Sequence, residues 1–95
     1  MPSPQTLPTL TDLGINIFEL AETAKRLGKL APDRIEAILA TADKRIKIQA
    51  STLNPIVEDL CYDEHFLARA GIPYENPDSR LIKAAIAQYL LMHQN

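Results

Sequence analysis

The feature that most constrains this chain is the recurrence of Leu, Ile and Ala at steps of three and four, broken at intervals by Pro, Gly and Asn. That spacing places apolar side chains on one flank of a helix, whereas a half-buried strand would alternate them. The 95 residues include 13 Leu and 12 Ala but a single Val, so propensity also leans towards helix. Ten Ile residues lean the other way, and the periodicity decides.

Four segments carry the pattern. Thr9 and Asp12 have capping-box spacing, and Leu10, Leu13, Ile17, Leu20, Ala24, Leu27 and Ala31 follow as one stripe about five turns long. Gly14 weakens the start of this helix, and Gly28 is expected to close it in a left-handed conformation. Pro32 suits the first position of a second helix, whose stripe runs Ile35, Ile38, Leu39, Ala42, Ile46, Ala50, Leu53. The stretch 45–49 alternates, but the stripe continues through it in phase. Asn54-Pro55 opens a third helix or marks a kink. Ile56, Val57, Leu60 and Leu67 share its face with Asp63 and Glu64, so either the helix breaks near Tyr62 or those carboxylates lie at a solvent edge; a break is preferred. After Gly71-Ile72-Pro73, the signature Asn76-Pro77-Asp78 begins a last helix over about 77–93, striped by Ile82, Ala85, Ile86 and Tyr89. The expected fold is an all-α bundle of four or five helices over 9–95, with residues 1–8, which hold three of the seven prolines, as a disordered tail.

Composition removes several classes. With 46% apolar residues and a net charge of −2, the chain is a poor candidate for intrinsic disorder. Its longest apolar run, Leu81 to Met92, is short of the roughly 18 residues a bilayer span needs and contains Lys83 and Gln88. The first residues lack the basic and apolar regions of a secretory signal. The single cysteine, Cys61, excludes an internal disulfide framework and suits a reducing compartment, so a cytoplasmic location is expected.

Three helices carry apolar residues beyond one face. Ile15 and Phe18 lie off the first stripe; Ala37, Thr41 and Ile48 oppose Ile35 and Ile46; Ala84, Ala87 and Leu91 oppose Ile82 and Ile86. A chain this short can surround one helix but hardly three, so these positions are expected to form an interface with another molecule. The leading expectation is a small regulatory or adaptor protein, homodimeric and then bound to another protein. Phe18, Ile48 and Leu91 would anchor it, and Lys44 and Lys47 would orient it by charge. No catalytic residue, cofactor or metal is expected.

Two other readings compete. The hairpin 17–42 has the look of a helix-turn-helix, which would contact DNA through Lys25, Arg26, Lys29, Arg34 and Lys44. Against it stand Asp33 and Glu36 at the exposed start of the second helix and a sequence pI near 5.6, where dedicated nucleic-acid binders are usually basic. Residues 21–50 carry a net charge of +3 and residues 51–95 a net charge of −3, which suits pairing between copies as well as it suits DNA. The third reading is a metal or cysteine-dependent site over 58–65. On an unbroken helix Cys61 and His65 would share a face, with Glu64 beside them. A structural zinc site wants four ligands, and the surrounding acids disfavour a thiolate.

Overall fold

The computed structural model describes residues 10–46 and 50–93, which form five α-helices and, among the described residues, no strand. They are α1 (Ile17–Leu27), α2 (Pro32–Arg45), α3 (Ala50–Cys61), α4 (Glu64–Ala70) and α5 (Ser79–Met92). Thr9 and the proline-rich segment 1–8 lie outside the described residues, as do Lys47 and Ile48.

Two Gly-Ile pairs set the chain's direction on either side of the core. Gly14 and Gly71 both take φ near +73°, where a side chain would be strained. At Gly71 the motif is complete: its N–H donates to the Ala68 carbonyl at 3.2 Å, and Ile72 N–H donates to Leu67 O at 2.9 Å. At Gly14 one turn over 10–14 closes with Ile15 N–H donating to Leu10 O at 2.9 Å. Both following isoleucines, Ile15 and Ile72, are then buried.

Gly14 therefore ends a turn instead of weakening a long helix, and α1 begins after it. Its N-cap is Asn16, whose side-chain oxygen accepts from Phe18 N–H at 2.9 Å and Glu19 N–H at 3.2 Å. Gly28, expected in the left-handed region, is right-handed, with φ −61° and ψ −16°. Pro32 does stand first in α2. That helix stops at Ile46, whose backbone is extended, so the stripe does not run on to Leu53. Pro55 lies inside α3, and the helix starts five residues before it. The break near Tyr62 is present: Asp63 is the N-cap of α4, its carboxylate accepting from Phe66 N–H at 3.1 Å. Asp78, two residues after Asn76, caps α5 through Leu81 N–H at 3.1 Å.

The core is organised around α5, which packs against α1, α2 and α3, while α4 packs against α1 and α3. Ile82 and Ala84 to Ala87 are all buried, and so is Tyr89. Small residues on one side of α5 admit close approach of its neighbours while Ile82 and Ile86 fill the other. Leu20, Leu67, Ile82 and Ile86 are the largest fully buried side chains. Near the end of α5, the Tyr89 hydroxyl donates to Glu19 Oε2 at 2.9 Å and accepts from Asn16 N–H at 3.3 Å. The His93 ring stacks on Tyr89 with centroids 4.2 Å apart. At the opposite end of α5, Arg80 pairs with Glu36 and ties α5 to α2.

Candidate functional site

The expected interface is redistributed by this packing. Ile15, Ala84 and Ala87 are buried in the chain's own core. Ile15 turns inward after Gly14, and both alanines are covered because α5 has neighbours on several sides. Leu91 is half-buried. Ala37, Thr41 and Lys44 are exposed along α2, with the Thr41 hydroxyl donating to the Ala37 carbonyl at 2.9 Å. Lys47 and Ile48 fall outside the described residues.

Phe18 is exposed as expected, at 59% of its surface. It stands at the N-terminal end of α1 beside an open groove of about 700 Å³ between α1 and α4. Ile17, Ala21, Phe66 and Ala68 give the groove an apolar lining. The Arg69 guanidinium carbon lies 4.8 Å from the centre of the Phe18 ring, a cation–π contact that leaves a positive charge beside the apolar surface. Nothing in the residue types alone pairs Phe18 with Arg69, because the two are 51 positions apart.

Two further surfaces stand out. Tyr62, in the turn between α3 and α4, is 81% exposed and flanked by exposed Glu58, Asp59 and Glu64. An open cavity of about 800 Å³ lies where the end of α1 meets the connection from α4 to α5. Lys25 and Lys29 line it together with Ile72, Pro73, Pro77 and Leu81. The sequence offers these lysines as candidate DNA contacts and as part of the basic segment 21–50, and it assigns Tyr62 no role. Three of the five aromatic side chains (Phe18, Tyr62 and Tyr74) thus face outward, while Phe66 and Tyr89 are buried.

The helix-turn-helix reading meets a different geometry. Lys25, Arg26, Lys29, Arg34 and Lys44 are all exposed. Yet α1 and α2 are held mainly through α5, with little packing directly on each other. The 58–65 cluster is divided by the helix break, so Cys61 ends α3 and His65 belongs to α4. Cys61 is half-buried, and burial first, then the Glu58 charge, pushes its thiol above the ordinary value. No group of three or more His, Cys, Asp and Glu residues that could hold a metal occurs among the described residues. No described helix is long and apolar enough to cross a membrane.

Comparison with protein-family models, curated proteins and solved structures finds no match to this chain.

Proposed function

We propose that this chain is a small regulatory or adaptor module that works by non-covalent contact between helical surfaces, first with a second copy and then with another protein. The observation that carries this reading is the outward placement of Phe18, Tyr62 and Tyr74, exposed by 59%, 81% and 60%. The core is closed by Leu, Ile and Ala together with Phe66 and Tyr89, so the three exposed rings are not required to fill it. Exposed aromatic rings with polar surroundings are the side chains that supply interface energy at low entropic cost. The groove beside Phe18 suits an apolar helix of another protein carrying a carboxylate for Arg69.

The raised thiol of Cys61 and the divided 58–65 cluster argue against catalysis there. Sedimentation of the full chain over a range of concentrations tests the proposal. The expected result is a mass rising from 10.6 kDa towards twice that value. A particle that stays monomeric throughout overturns self-association. Adding mixed-sequence duplex at about 50 mM salt checks the competing reading, since phosphate contacts are strong there and weaken steeply as salt rises. No co-sedimentation with duplex is expected.

A further inference from the structure

We infer that two copies pair by exchange, the acidic turn around Tyr62 of each seating in the Lys25–Lys29 cavity of the other. This rests on the self-association proposed above and names the surface that performs it.

The two patches are opposite in charge, and the cavity has room for a side chain. Glu58, Asp59 and Glu64 surround a tyrosine that is 81% exposed. The cavity is roomy enough for an aromatic ring, at about 800 Å³, and presents Ile72, Pro73, Pro77 and Leu81 beneath two exposed lysines. Of its other charged lining residues, Asp78 caps α5 through Leu81 N–H and keeps its negative charge, and Arg80 pairs with Glu36, so the two lysines leave the cavity net positive. Lys25 and Lys29 are therefore the cations left to meet an incoming carboxylate. Tyrosine suits such a seat because its ring is apolar and its hydroxyl can still find a polar partner at the rim.

One copy does not satisfy itself: Tyr62 is exposed, and neither it nor its acidic neighbours line the cavity. Tyr62 precedes the N-terminal end of α4, whereas Ala70 and Gly71, at the other end, belong to the cavity. Seven helical residues hold these ends about 10 Å apart. A second copy turned about a two-fold axis brings its own turn to the cavity and offers its own cavity in return. Each contact is then made twice in a closed pair.

The test uses the full chain and charge reversal at exposed positions. Lys25→Glu with Lys29→Glu, and separately Glu58→Lys with Asp59→Lys, are each expected to give monomer, by repulsion between like-charged patches. An equimolar mixture of the two variants is expected to recover a particle of dimer mass, because both contacts are then again between opposite charges. Tyr62→Ala lies outside the core and is expected to weaken association by about tenfold, the loss typical of an interface anchor. If the wild type associates but neither reversal changes its mass, or the mixture fails to recover, the inference fails while self-association stands. The same holds if Phe18→Asp alone abolishes the dimer and the reversals do not. A wild type that is monomeric at every concentration removes both.

Discussion

The hydroxyl of Tyr89 sits 2.9 Å from Glu19 Oε2 and 3.3 Å from the backbone nitrogen of Asn16, 70 and 73 residues away in sequence. This one group links the end of the central helix to the residue that caps the first helix and to a carboxylate in that helix's first turn. Tyr89→Phe keeps the ring and its packing but removes both hydrogen bonds. It is expected to lower stability by about 1–2 kcal/mol in urea unfolding. Tyr89→Phe and Glu19→Ala are expected to be coupled by about 1 kcal/mol in a double-mutant cycle, since they share the interaction. Fully additive effects would show that the bond contributes nothing in solution.

The three glycines should respond differently to alanine. Gly71 has φ +73°, and a Cβ there would meet nothing within 4 Å. Its substitution therefore costs backbone strain alone, about 1–2 kcal/mol, and Gly14→Ala should behave likewise. Gly28 is right-handed, and an added Cβ would lie 3.6 Å from Leu81 Cδ2, in ordinary contact. Gly28→Ala should be neutral or stabilise by up to about 1 kcal/mol through the unfolded chain. Thermal melts of the three variants check this ordering.

Burial separates two large apolar residues. Leu67 is fully buried, and Leu67→Ala is expected to cost about 2–5 kcal/mol, a large share of what holds a domain of this size together. Phe18→Ala should cost no more than about 1 kcal/mol, chiefly the contact with Arg69. A comparable loss at both positions would contradict the placement of Phe18 outside the core.

Cys61 offers a pH test. Its thiol is raised first by burial and then by Glu58, so alkylation by iodoacetamide should reach half its limiting rate at a higher pH than for the unfolded chain. The folded state holds this proton more tightly. The stability it contributes is therefore present below the ordinary thiol value and is lost as pH rises through the folded one. Glu58→Gln should move the alkylation profile only part of the way back, because burial is the larger cause.

The helix segments were legible from spacing because amphipathic stripes depend only on order along the chain. Their ends were harder where two signals compete. Thr9-x-x-Asp12 resembles a cap, but Gly14 and Asn16 together define the actual start of α1 through a left-handed turn and a side-chain bond. Asn54-Pro55 resembles a start, yet α3 tolerates the proline and the one backbone donor it lacks. Spacing alone leaves Asp63 ambiguous, and its role as the cap of α4 explains an acid on an apolar face. The outer stripe Ala84, Ala87 looks like a surplus in the sequence because periodicity says which flank is apolar and not how many neighbours cover it. The groove between Phe18 and Arg69 and the cavity at Lys25 join residues distant in sequence, so no local pattern announces them.

Making α5 the hub has a cost during synthesis. When a ribosome extrudes this chain, α1, α2 and α3 emerge ahead of the one segment that packs on all three, which begins only at residue 79. Until then the nascent molecule is expected to leave apolar surface uncovered, the condition under which partly folded chains clump. A chain truncated ahead of that segment is expected to be unable to close its core, because Ile82, Ile86 and Tyr89 would be missing from it.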